Sequence, residues 1–217
     1  MHAPHLYVDS AETGLIDPLL EAGLVTGVTT NPTILERGGA RVSEIPALYE
    51  RWVGQGAREV FFQTWGVDAA TMLAHAEPMI SLGDRVVIKV PATRDGFVVT
   101  RTLVERGVPV LVTAVYSAAQ ALASAAYGAR YIAPYFGRMH DVGRNALAEI
   151  GEMHRMLEGS GTEVLAASLR TPADIVALRA VGVARFTAAP AVLEAMLVDE
   201  VSERSAAEFE AASRRIS

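Results

Sequence analysis

The chain contains a single lysine, Lys89, in the run Val86-Val87-Ile88-Lys89-Val90-Pro91, which reads as a β-strand. Lysine is almost never fully buried without a partner or a task. Among those apolar neighbours the amine is partly desolvated, so its pKa falls and some free amine exists at neutral pH. A neutral amine of this kind attacks carbonyls, and the protonated Schiff base it forms is an electron sink for breaking carbon–carbon bonds. An ion pair with Asp9 is the other reading, and the two are compatible, since a carboxylate beside the amine would orient it and exchange protons. Asp9, Thr29 with Asn31, Gln63, Thr113, Tyr135 with Arg138, and Ser168 also stand at or near the ends of short apolar runs. Each alone reads as a cap or turn residue. Successive runs that all end in polar groups are more simply explained by convergence on one rim.

The elements that must carry these residues alternate from end to end. Strand-like runs fall at 6–10, 27–29, 59–64, 85–91, 110–116, 131–135, 164–168 and, weakly, 185–187. Helical segments follow them at 15–22, 42–53, 68–82, 95–106, 117–127, 142–157, 171–181 and 191–197, with a last helix at about 200–213. Eight βα units in an undivided chain of 217 residues predict an α/β fold, a single (β/α)8 TIM barrel with one extra C-terminal helix, forming one domain over 1–217. In such a barrel the carboxyl ends of the strands form the active face, which is where the polar residues collect. A doubly wound sheet would open on a glycine-rich turn, and Asp9-Ser10-Ala11-Glu12-Thr13-Gly14 has no such pattern.

Composition narrows the partners. Eighteen arginines and one lysine against 25 acidic residues give a net charge of −6, which argues against nucleic acid and against a polybasic membrane contact. No apolar run reaches the ~20 residues of a membrane helix. The start, Met1-His2-Ala3-Pro4-His5, lacks the basic and apolar regions of a secretory signal. Cysteine is absent, which removes thiol nucleophiles and Cys–metal sites and fits a cytoplasmic location. The five histidines include no i,i+4 pair, so no metal is expected.

Five blocks, Val28-Thr29-Thr30-Asn31-Pro32-Thr33, Val87-Ile88-Lys89-Val90-Pro91, Thr113-Ala114-Val115-Tyr116-Ser117-Ala118-Ala119-Gln120, Ala133-Pro134-Tyr135-Phe136-Gly137-Arg138 and Leu165-Ala166-Ala167-Ser168, resemble the small transaldolase and fructose-6-phosphate aldolase family. The resemblance runs from Leu6 to the C-terminal helix. It implies a class I aldol mechanism with Lys89 as the Schiff-base lysine. Asp9, Thr29 and Asn31 match groups around substrate and lysine, and Thr113 matches a threonine that helps hold a catalytic water. Arg138 and Ser168 match the phosphate-binding pair, with Arg170 near enough to assist; a guanidinium fork suits phosphate bidentately.

Gln63 and Tyr135 resemble the aldolase branch, where transaldolases usually carry Glu and Phe. A phenol beside the Schiff base can polarise the water that protonates the carbanion, so that dihydroxyacetone leaves. As inert alternatives, Gln63 is a rim residue and Tyr135 a core aromatic. Gly137 resembles the transaldolases, and Trp65 narrows the cleft. The resemblance thus implies a cofactor-free aldolase that reversibly cleaves fructose 6-phosphate, or a close ketose, to dihydroxyacetone and glyceraldehyde 3-phosphate. Transaldolase, in the pentose phosphate pathway, is the alternative enzyme; a silent sugar-phosphate-binding barrel is the non-enzymatic one. Family members assemble as pentamers or decamers, and the C-terminal helix is expected at a subunit interface.

Overall fold

The computed structural model describes residues 3–216; Met1, His2 and Ser217, and with them part of the start segment read above, lie outside the described residues. Strands β1 (His5–Asp9), β2 (Gly27–Thr29), β3 (Glu59–Gln63), β4 (Val86–Pro91), β5 (Val110–Val115), β6 (Tyr131–Pro134), β7 (Glu163–Leu169) and β8 (Arg185–Ala188) form a closed barrel in sequence order. All ladders are parallel, and closure is made by pairing β1 with β8 from His5↔Arg185 to Val8↔Ala188. The expected (β/α)8 barrel is therefore the fold.

The pleat explains how one sequence builds both core and site. Alternate strand residues point to opposite faces. Val8, Val28, Val60, Phe62, Ile88 and Val112 are among those facing outward into the layer beneath the helices. Tyr7, Phe61, Val87, Leu111, Tyr131, Ala133, Leu165 and Ala167 fill the barrel interior. Two residues further along the same strands stand Asp9, Gln63, Lys89, Thr113 and Tyr135, so the pleat that packs the plug also aims the polar groups at one mouth. The opposite mouth is closed by paired charges. Tyr7 and Tyr131 each donate to Glu59, at 2.6 and 2.8 Å, while Arg185 donates to Glu163 at 2.7 Å.

The helices are α1 (Thr13–Glu21), α2 (Pro32–Arg37), α3 (Ile45–Gly54), α4 (Ala69–Ile80), α5 (Arg94–Glu105), α6 (Ala118–Ala126), α7 (Phe136–Asp141), α8 (Ala146–Met156), α9 (Pro172–Ala180), α10 (Pro190–Glu194) and α11 (Glu200–Ile216). Side-chain caps fix several starts where the βα loops end, as with Asp68 accepting from Thr71 at 2.8 Å and Thr93 from Gly96 at 3.1 Å. The helix expected over 142–157 starts later, as α8, and is preceded by a short helix, α7, that the sequence reading did not include. Gly143 takes φ +74°, which ends α7, and the Asn145 side chain then caps α8 by accepting from Ala148 at 3.2 Å. The helix expected from 42 starts as a 3₁₀ turn, Val42–Glu44, before Pro46 opens α3. Helix α11 has no buried residue and leaves Val201, Phe209 and Ile216 exposed along one side. Among the described residues no helix is long and apolar enough to cross a membrane.

Candidate active site

Lys89 ends the inward row of β4 with 4% of its surface exposed, opposite Gln63 on β3. Burial pushes its pKa below the ordinary 10.5, because the ammonium loses water; the Asp9 carboxylate opposes this by favouring the charged form. Among the described residues, no hydrogen bond or salt bridge holds the Lys89 amine. The Asp9 carboxylate instead accepts a 2.6 Å hydrogen bond from Thr29 on the neighbouring strand.

Across the barrel, the Thr113 hydroxyl and the Tyr135 phenol meet at 2.9 Å. Burial raises the phenol's pKa, so it remains protonated at neutral pH. The Tyr116 ring packs edge-on against Tyr135, with centroids 5.9 Å apart. On the other side the Arg138 guanidinium lies 4.9 Å from the centre of the Tyr135 ring. Arg138 is exposed in the first turn of α7.

Two strand irregularities shape this mouth. The ladders shift between Thr113 and Val115 on β5 and between Ala166 and Leu169 on β7. Ala114 and Ser168 lie there with φ +56° and +59°, the only non-glycine residues with positive φ among those described. Left-handed backbone costs a non-glycine residue about 1 kcal/mol or more and collects where function over-determines geometry. Gly137 matters for the same wall: a Cβ there would sit 2.6 Å from the Ser168 carbonyl oxygen and 2.8 Å from Arg170 Nε. Only a glycine lets α7 lie so close to the end of β7.

The structure thus joins Asp9 with Thr29, Thr113 with Tyr135, and Arg138 with the Tyr135 ring, around a mouth that also receives Lys89 and Gln63. Asn31 sits at the end of β2, but its side-chain oxygen accepts from Ile34 at 2.9 Å and caps α2, leaving its amide group as the available donor. Arg170, expected beside the phosphate, is engaged elsewhere: its two terminal nitrogens donate to both oxygens of Asp141 at 2.7 and 2.5 Å, tying the end of β7 to the end of α7. Sequence reasoning passed over Thr187, fully buried on β8 and 2.6 Å from Thr29. The signal lay in the alternation Arg185-Phe186-Thr187, too short to fix a face without its register. A cleft of about 820 Å³, lined by Leu6, Leu20, Leu24, Val176 and Met196 among others, shares no residue with this mouth.

A family model described as transaldolase/fructose-6-phosphate aldolase matches residues 6–216. The chain belongs to this family. Curated relatives agree across nearly their whole length. A probable transaldolase of Phenylobacterium zucineum (strain HLK1) is 34% identical over 206 residues, 94% of each chain. A probable transaldolase of Ruegeria sp. (strain TM1040) is 35% identical over 201 residues, 91% of each. Among solved structures, the thiamine phosphate pyrophosphorylase from Pyrococcus furiosus superposes with a TM-score of 0.62 at 17% identity, covering 87% of both chains. A mandelate oxidase mutant superposes at 0.63 and 18% identity, covering 87% of this chain and 66% of the other. Likeness at that identity speaks for the barrel alone.

Proposed function

We propose that the protein is a class I aldolase that reversibly cleaves fructose 6-phosphate, or a close ketose, into dihydroxyacetone and glyceraldehyde 3-phosphate. The observation that carries this is the sole lysine, desolvated on the floor of a mouth that also holds a carboxylate and a buried phenol–hydroxyl pair. The free amine of Lys89 adds to the ketose carbonyl, and loss of water gives an iminium. Breaking the C3–C4 bond sends its electron pair toward the iminium nitrogen, while the C4 hydroxyl gives up its proton and leaves as the aldehyde. Asp9 accepts that proton in this scheme. The remaining enamine takes a proton at carbon from a water polarised by Tyr135, with Thr113 and Gln63 holding that water. Hydrolysis of the iminium then returns the free amine and dihydroxyacetone. Arg138 and Ser168 anchor the phosphate, with Arg170 joining only by leaving Asp141; Asn31 faces the sugar, whereas Thr29, expected beside it, is fully buried with its hydroxyl held between Asp9 and Thr187 and acts through Asp9.

No cofactor is required by this scheme, because the iminium supplies the electron sink. A single domain over 1–217, cytoplasmic and without nucleic-acid or membrane partners, completes the reading, with α11 docking on neighbouring copies in a pentamer or decamer. The relatives, probable transaldolases, favour a second reading, transaldolase, in which the enamine waits for an aldose phosphate acceptor. Gly137, packed against β7, goes with that branch. Release of dihydroxyacetone from fructose 6-phosphate, measured with and without erythrose 4-phosphate, separates the two: product formed only with acceptor overturns the aldolase. Borohydride reduction with substrate, followed by intact and peptide mass, tests the enzyme itself. Failure to form an adduct at Lys89 would leave a silent sugar-phosphate-binding barrel.

A further inference from the structure

The Thr29 hydroxyl makes two contacts of 2.6 Å, one to Asp9 Oδ1 and one to Thr187 Oγ1. It has one proton to give. Thr29 gives that proton to Asp9 Oδ1, so the second contact is Thr187 donating to Thr29. The direction of the chain is thereby settled: Thr187 to Thr29 to Asp9. It runs over the top of β1, because Thr187 lies beside Tyr7 and Thr29 beside Asp9 in the two ladders that flank that strand. Both threonines are buried, at 0 and 2% exposure, so no water replaces either bond.

We propose that Thr187 is a positioning residue for the carbonyl chemistry at Lys89, which keeps the Thr29 hydroxyl aimed at Asp9 and so fixes the carboxylate that faces the amine. The inference rests on the Schiff-base reading of Lys89. Accepting from Thr187 while donating to Asp9 restrains the Thr29 hydroxyl from both sides. Without the donor, one of the two restraints on Thr29, and through it on the carboxylate, is lost. A donated bond also polarises the next one in line, so the chain holds Asp9 more firmly than Thr29 alone would.

The experiment measures the rate of the borohydride-trapped adduct with dihydroxyacetone, by intact mass, for wild type, Thr187→Val, Thr187→Ser, Thr29→Val and the valine double variant. Valine keeps the shape and removes the donor. Thr187→Val is expected to lower the maximal trapping rate about tenfold, as befits one hydrogen bond, while the half-saturating dihydroxyacetone concentration stays within about twofold. Serine restores the rate, and in the Thr29→Val background the second valine adds no further loss, since Thr187 acts only through Thr29. Should Thr187→Val fail to fold, Thr187→Ala read against Thr187→Ser carries the same comparison. A Thr187→Val rate equal to wild type overturns the inference, as does an equal loss in the serine variant or a full additional loss in the double variant. Wild type that forms no adduct removes the Schiff-base reading and this inference with it.

Discussion

Tyr135→Phe deletes one oxygen, and the structure says what that oxygen does. Among the described residues its one hydrogen bond is the 2.9 Å contact with Thr113, whose own surface is 1% exposed. Losing the bond and leaving the Thr113 hydroxyl without its partner costs about 1–2 kcal/mol of stability. For a chain of this size that lowers Tm by roughly 2–8 °C. The ring keeps its packing against Tyr116 and its contact with Arg138, so the variant folds. Catalytically the phenol is protonated at neutral pH because burial raises its pKa, and in the proposed scheme it polarises the water that protonates the enamine. A positioned proton-transfer group is worth 10²–10⁴ in rate, and acting through a water places Tyr135 near the lower figure. Acceptor-free release of dihydroxyacetone from fructose 6-phosphate should therefore fall about 100-fold. The earlier steps do not use this proton, so borohydride trapping at Lys89 and transfer to erythrose 4-phosphate should fall by less than about fivefold. The assay follows free dihydroxyacetone enzymatically, with and without acceptor, alongside adduct mass. Unchanged acceptor-free release in a variant that melts lower would refute the reasoning and leave Tyr135 a packing residue.

Lys89→Met should abolish the adduct and raise Tm by roughly 1–8 °C, since relieving a strained functional group commonly adds about 0.5–2 kcal/mol. The advantage has a pH signature. The folded-state pKa of Lys89 lies below its unfolded value of 10.5, so between the two the unfolded chain binds more protons and wild-type stability rises with pH. The gap between variant and wild type is widest below the folded-state pKa and narrows as pH climbs toward 10.5; melting curves that keep a constant gap over that range would contradict a buried, pKa-depressed amine. Arg138→Gln should raise KM for fructose 6-phosphate about 10- to 100-fold, the worth of a charge-assisted hydrogen bond to phosphate, while trapping of unphosphorylated dihydroxyacetone is unchanged. Equal losses for both ligands would remove Arg138 from the phosphate site. Phe209, 72% exposed on α11, should hold neighbouring copies together; light scattering should show an oligomer that Phe209→Asp reduces to monomer, and a monomeric wild type would rule out the interface.

Much of the barrel was legible because its signals are local. Lys89 stood out as one lysine in a β-branched run, and the strand period of two was enough to place it with Asp9, Gln63 and Thr113 at one mouth. What failed depended on geometry that sequence spacing does not carry. The helix expected over 142–157 begins only at Ala146, and α7 before it went unread, because Gly143 adopts a left-handed backbone that is invisible until the chain is built. Arg170 looked available by its nearness to Ser168, but Asp141, 29 residues away, takes both its terminal nitrogens. Thr187 needed the β1–β8 register before it could be seen to touch Thr29 from two strands away. The left-handed backbone of Ala114 and Ser168 falls in the same class, since neither residue type signals a bulge.

The two mouths of the barrel divide the work between them. At the amino end the charges are matched: Glu59 receives two phenols and lies 3.2 Å from Arg130, and Arg185 pairs with Glu163 while donating to Tyr7 at 3.0 Å. Satisfied groups of this kind tie β1, β3, β6, β7 and β8 together and have little left to react with. At the carboxyl end, Lys89 is buried without a hydrogen bond among the described residues, and two non-glycine residues hold costly backbone conformations. Such a mouth is a net expense to stability, and it persists because the same strands are pinned two to four residues below. Tyr7 precedes Asp9, and Arg185 precedes Thr187, each by two residues, so the rigid network sets the height and direction of the groups that face the amine. On this account, cutting the amino-end network, as in Glu59→Gln, should loosen the reactive mouth without touching it, which separates the rigidity of the site from its chemistry.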